Sequence, residues 1–100
     1  MTALPLDGAV AILRERVRQV LVEGYEPEGD VEHTGNDLAW MAFSYVDRAL
    51  SDNPGNPVPP QMWPGRPEDW KPGDPIRMLV KAGALLAAEV DRRLAERSRP

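Results

Sequence analysis

The sequence predicts an all-α domain of three helices, and three observations carry that expectation. The segment from Asp74 to Leu94 opens with a cap and a proline and is apolar nearly all round. Two earlier segments repeat apolar residues at helical spacing. The prolines between Asp52 and Gly73, namely Pro54, Pro57, Pro59, Pro60, Pro64, Pro67 and Pro72, exclude regular helix or central strand from that stretch.

The first helix is expected from Asp7, a plausible N-cap, to about Glu23, with Gly24 at the position that favours a left-handed backbone. Val10, Leu13, Val17, Val20 and Leu21 form its apolar stripe, and Arg14, Glu15, Arg16, Arg18 and Gln19 occupy the opposite face. That polar face reads as solvated charge, or else Arg18 or Glu15 turns toward a site formed with the next segment. Residues 25–34 show neither helical nor strand period and are dense in turn formers and carboxylates, which reads as a loop. Thr34 and Asp37 resemble a helix start, so the second helix is expected from about Asn36 to Leu50. Leu38, Met41, Ala42, Tyr45, Val46 and Ala49 supply its core stripe, widened by Trp40 and Phe43.

The Pro-rich stretch carries Trp63 and Trp70, large apolar anchors for a loop that proline already stiffens. It is expected to drape over the helices as an ordered loop and is also a candidate lid. In the third helix Asp74 accepts the first backbone N–H groups and Pro75 loses nothing by lacking a donor. Between Met78 and Ala88 the only charge is Lys81. A buried ammonium is costly unless paired, so Lys81 is expected to meet a protein carboxylate such as Asp37 or Asp30, or an anionic ligand.

The 100 residues make one domain, 1–100, and a chain this short buries only roughly 65% of its unfolded surface. A homo-oligomer is therefore expected, with Ala82, Gly83, Ala84, Ala87 and Ala88 allowing close helix approach between copies. A net charge of −4 argues against direct DNA binding, which needs basic surface. Without cysteine and with one histidine, disulfides, thiolate metal sites and multi-imidazole zinc are excluded within one chain. No stretch reaches the ~20 apolar residues that span a bilayer, and no apolar leader follows a basic start, so no membrane association and a cytoplasmic location are expected.

Three constellations are candidates for chemistry. Glu23, Glu26, Glu28, Asp30 and Glu32 with His33 read either as a hard-cation loop or as solvated acid, and they lack the order of an EF-hand loop. Paired acidic motifs of the kind used by MazG-type nucleoside triphosphate pyrophosphohydrolases are broken here. Glu23 and Glu26 straddle Gly24, and Glu89 is followed by Arg92 rather than an acid. The third set is cationic and aromatic. Lys71, Arg77 and Lys81 lie near the start of the third helix, with Trp63 and Trp70 just before it. Arg77 and Lys81 are one helical turn apart, near free N–H groups that favour anions. A phosphate carrying a stacked base would suit them, although two core tryptophans and a buried lysine pair remain the plainer reading. With Arg18, Tyr25 and His33 these residues form the candidate ligand-binding set. No phosphate loop, nucleophile elbow or Ser/His/Asp spacing is present, so no catalytic residue, metal ligand or cofactor is assigned.

Glu15-Arg16-Val17-Arg18-Gln19, Glu23-Gly24-Tyr25, Asp30 with His33, Trp63-Pro64, Trp70-Lys71-Pro72 and the run from Arg77 to Val90 resemble a family of small tailed-phage and prophage proteins of unassigned function. The family pattern is E-R-x-R-Q, E-G-[WY] with D-D-x-H, W-P, W-K-P and L-V-K-A-G-A-L-[IL]-x-A-E-[IV]. The chain departs from it at Val31, where the family has a second aspartate, and this weakens a metal reading of that loop. The resemblance implies a phage-encoded accessory protein with no established catalytic residues. By analogy with phage proteins that sequester nucleotide signals of host defence, it suggests a binding module. A MazG-like hydrolase and a protein-binding inhibitor of a host factor are the alternatives.

Overall fold

The computed structural model describes residues 5–23 and 36–98. Within them the chain forms α1 (Asp7–Glu23), α2 (Asp37–Ala49), a 3-10 turn at Pro67–Asp69 and α3 (Pro75–Arg97), with no strand among the described residues. The protein is a small all-α domain. None of these helices is long and apolar enough to cross a membrane. Glu26, Glu28, Asp30 and Glu32 of the acidic loop, together with Tyr25 and His33, lie outside the described residues.

The third helix starts as its sequence requires. Asp74 is extended and its Oδ1 accepts the Arg77 backbone N–H at 3.1 Å, while Pro75 takes the first helical position. The helix continues past Leu94 to Arg97 because Ala95, Glu96 and Arg97 are good helix formers. α2 begins after Asn36, whose φ of 73° places it in the left-handed region that asparagine tolerates. Its side chain does not cap the helix. Instead Asn36 Oδ1 accepts from Arg93 Nη2 at 2.8 Å, fastening the start of α2 to the far half of α3.

α3 is the central element. Both α1 and α2 pack on it, and among the described residues they do not pack on each other. The core joins Leu38, Met41, Ala42, Tyr45 and Ala49 of α2 to Met78, Ala82, Leu85 and Ala88 of α3, with Trp70 added from the connection. The small residues of α3 are consumed inside the chain, since Ala82, Ala84 and Ala88 are buried. Gly83 lies under Ile12 of α1, where a Cβ would come within 2.6 Å of the isoleucine Cδ1. Close helix approach is thus achieved within one protomer.

The stripe read as core on α1 faces outward, and so do the two residues read as widening the core stripe of α2. On α1, Val10, Leu13, Val17 and Leu21 are exposed, whereas Glu15, Arg16 and Gln19 are buried. The helix is turned so that its polar face meets α3. This orientation holds because the buried charges are matched: Arg77 Nη1 lies 2.8 Å and Arg18 Nη2 2.7 Å from Glu15, and Arg16 Nη2 lies 3.1 Å from Asp91. On α2, Trp40 and Phe43 are also exposed and meet edge to face at 5.8 Å between ring centres. Seen from Leu38, they lie on the opposite side of the helix from its buried stripe.

The connection from Leu50 to Asp74 is tied down by aromatic contacts. Trp70 stacks on Tyr45 at 4.6 Å and 20°, and Trp63 meets both rings edge-on at 5.6 and 5.2 Å. Each indole N–H is used, Trp70 Nε1 donating to the Asn56 carbonyl at 3.2 Å and Trp63 Nε1 to the Arg66 carbonyl at 3.0 Å. Trp70 is only 4% exposed, so Trp70→Ala is expected to destabilise the protein by about 3–5 kcal/mol in chemical denaturation. The half-buried Trp63 should lose less on the same change. Equal and negligible losses at both positions would mean that the stack does not hold the connection.

Candidate functional site

α1 and α2 pack on α3 rather than on each other, and residues of all three helices and of the Trp-rich connection surround one cavity. The resulting cavity has a volume of about 470 Å³. α1 contributes Glu15, Arg18 and Gln19, and α2 contributes Met41 and Tyr45. Trp63, Asp69 and Lys71 come from the connection, and Lys81 and Leu85 from α3.

The lysines are placed by backbone groups. Tyr45 Oη accepts the Lys71 backbone N–H at 3.2 Å, and Lys81 Nζ donates to the Lys71 carbonyl at 3.0 Å. The Lys81 ammonium also sits 5.4 Å from the centre of the Tyr45 ring, within range of a cation–π attraction. Among the described residues, a carbonyl and a ring face meet this ammonium; Asp30, one of the carboxylates expected to pair with it, lies outside them. Arg18, Tyr45 and Lys81 each make further interactions.

Glu15 is the electrostatic centre of the neighbourhood. It is 4% exposed, and burial pushes its carboxyl upward, yet hydrogen bonds and charge from Arg18 and Arg77 outweigh burial and hold it below the ordinary 4.5. Asp69 is likewise matched, accepting from Arg66 Nε at 3.1 Å. The two lining carboxylates are thus each paired with guanidinium groups, and the ammoniums of Lys71 and Lys81 belong to the same lining. Gln19 is 3% exposed, and its Oε1 has no hydrogen-bond partner among the described residues.

No protein-family model, curated protein or solved structure matches this chain. The site is therefore read from its own geometry.

The candidate residues separate. Arg18, Trp63, Lys71 and Lys81 line the cavity. Trp70 stands behind it as part of the core. Arg77 does not join Lys81. It lines a second hollow of about 490 Å³ with Arg14, Asp74, Ile76 and Val80, on the other side of the Glu15–Arg18 pair that borders both spaces. Four residues of separation did place Arg77 and Lys81 near one another, but the buried Glu15 captures Arg77. Glu15 was singled out with Arg18 as a residue that turns toward a site, whereas Gln19, Met41, Tyr45, Asp69 and Leu85 were not among the candidates. For Gln19 the available sign was its four-residue spacing from Glu15 on one face of α1 beside Ile12, which is also the spacing of a docked face.

A second buried acid lies at the opposite end of α3. Glu89 accepts from Arg92 Nε at 2.9 Å and Arg93 Nε at 2.6 Å. The Arg92 hydrogen bond leads in holding its carboxyl below 4.5, against the upward push of burial, and Arg93 adds to the lowering. Both Glu15 and Glu89 have folded values below their unfolded ones, so their contribution is present above about pH 4.5 and is lost as pH falls through the lowered values. Thermal melts from neutral pH down to pH ~3 are expected to show falling stability below the ordinary carboxylate range. Glu15→Gln should flatten that fall while lowering stability at neutral pH. An unchanged acid profile in both Glu15→Gln and Glu89→Gln would refute this account.

Proposed function

We propose that the protein is a non-enzymatic binding module for a small anionic ligand carrying a planar ring, of nucleotide-like chemistry. The observation that carries this reading is that Arg18, Lys71 and Lys81 line one cavity walled by Tyr45 and Trp63. Cations attract the phosphate, and the half-buried Trp63 ring offers apolar surface to a base. The volume of about 470 Å³ falls within the roughly 300–1,000 Å³ usual for small-molecule sites. In the setting implied by the phage resemblance, sequestering a nucleotide signal requires binding of this kind and no turnover.

Turnover by a MazG-like route is less well supported, because Glu89 is engaged by two arginines and no group of three or more acidic or imidazole residues converges among the described residues. A protein-binding reading draws on a different observation, the exposed Trp40–Phe43 pair on the outer face of α2. Aromatic residues of this kind are enriched at protein interfaces.

Incubation with a panel of mono-, di- and cyclic nucleotides plus Mg²⁺, followed by analysis of both retained and altered compounds, separates these readings. Retention of an unaltered nucleotide, accompanied by a change in tryptophan fluorescence, is expected. Lys71→Ala should weaken retention at least tenfold, and Arg77→Ala should weaken it less, since Arg77 lies outside the cavity. Release of pyrophosphate would establish the hydrolase instead. Absence of any retained compound at millimolar concentration would reject the binding module.

A further inference from the structure

Lys71 is exposed and lies between a buried tryptophan and a proline. Trp70 before it belongs to the core, and Pro72 after it disfavours a helical backbone at Lys71. Both polar groups of the Lys71 main chain are taken by side chains that line the cavity. Its N–H donates to Tyr45 Oη at 3.2 Å, and its carbonyl accepts from Lys81 Nζ at 3.0 Å. These two partners also meet each other, since the Lys81 ammonium lies 5.4 Å from the centre of the Tyr45 ring. Three contacts thus close a circuit across α2, the connection and α3.

Main-chain groups of an exposed loop residue are ordinarily satisfied by water, and ordering a lysine side chain on one carbonyl costs rotamer freedom. The Tyr45–Trp70 stack already fastens the connection to the core. The circuit acts one residue further on, at the residue whose ammonium belongs to the cavity lining. It also gives a role to the one charge in the apolar run from Met78 to Ala88, because Lys81 reaches from α3 to the connection. We propose that Tyr45 and Lys81 are positioning residues that clamp the two peptide groups flanking Lys71 and so aim its ammonium at an anion in the cavity, an assignment that rests on the binding reading above. The clamp itself belongs to the ligand-free protein. Lys71 is the contact, and Tyr45 acts through it.

Hydrogen exchange at the Lys71 amide, followed by NMR without nucleotide, reads the clamp directly. Tyr45→Phe keeps the ring and its stack but removes the acceptor, so exchange at Lys71 should quicken by about fivefold, the worth of one net hydrogen bond, while amides within α2 and α3 keep their protection. Lys81→Met should quicken it as well, by a smaller factor. The aim is read by a double-mutant cycle on retention of the mono-, di- and cyclic nucleotide panel. Tyr45→Phe alone should weaken retention several-fold, and in a Lys71→Ala background it should add nothing, because its effect runs through the lost ammonium.

Additive losses would assign Tyr45 a general structural role or a contact of its own, and would overturn the positioning role. Unchanged Lys71 exchange in Tyr45→Phe would overturn it too. Should Tyr45→Phe lose its helical circular dichroism, Lys81→Met carries the exchange test, and unchanged exchange there is equally fatal. A wild type that retains no nucleotide, yet shows the faster exchange in the variants, would reject the binding reading and the aim assigned to Lys71 while leaving the clamp in place.

Discussion

The buried carboxylate of Glu15 sets the orientation of α1, and much of the remaining architecture depends on it. A carboxylate removed from water is stable only where cations surround it, and Arg18 and Arg77 supply two at 2.7 and 2.8 Å. Meeting Arg77 obliges α1 to present Glu15 to α3. That rotation brings Gln19 inward, turns Val10, Leu13 and Val17 outward and makes Glu15 and Arg18 the partition between two hollows. Replacing this polar docking with the apolar stripe would bury more hydrocarbon within one protomer. It would also strand Arg16, Arg77 and Asp91 without their present partners.

The connection between α2 and α3 shows how a proline-rich stretch can be ordered without regular structure. Its prolines reduce the freedom of the unfolded chain, and the Tyr45–Trp70 stack gives it one firm attachment to the core. Tyr45 serves three ends at once: its ring stacks on Trp70, its ring face lies beside the Lys81 ammonium and its hydroxyl accepts from Lys71. Core packing and cavity lining are thus coupled through a single side chain. A change that loosens the stack also moves the lysines.

The cavity-lining Lys81 and the exposed Leu79, Leu86 and Val90 occupy opposite flanks of α3, and this separation has a physical origin. A helix apolar on most of its circumference can be covered by two short neighbours only in part. α2 takes the flank of Met78, Ala82 and Leu85, and α1 takes the flank around Gly83, Ala84 and Asp91. What remains is an edge bearing Lys81, which faces the charged cavity, and an edge bearing Leu79, Leu86 and Val90, which faces outward.

The sequence by itself determined the secondary structure, because helix signals are local. Asp74 and Pro75 mark the start of α3, and the stripe Leu38, Met41, Ala42, Tyr45 and Ala49 is the buried face of α2. It also placed Trp63, Lys71, Lys81 and Arg18 among residues of interest, since cations and large aromatics stand out in any order. Only the tertiary structure decided which face of α1 is inside. Periodicity ranks faces by hydrophobicity, and it cannot register that a carboxylate on one helix and a guanidinium on another, 62 positions away, neutralise each other. The same blindness joined Arg77 to Lys81 and placed Trp40 and Phe43 in the core. Helical spacing reports which residues share a side, whereas the partner that covers that side is fixed by contacts distant in the chain.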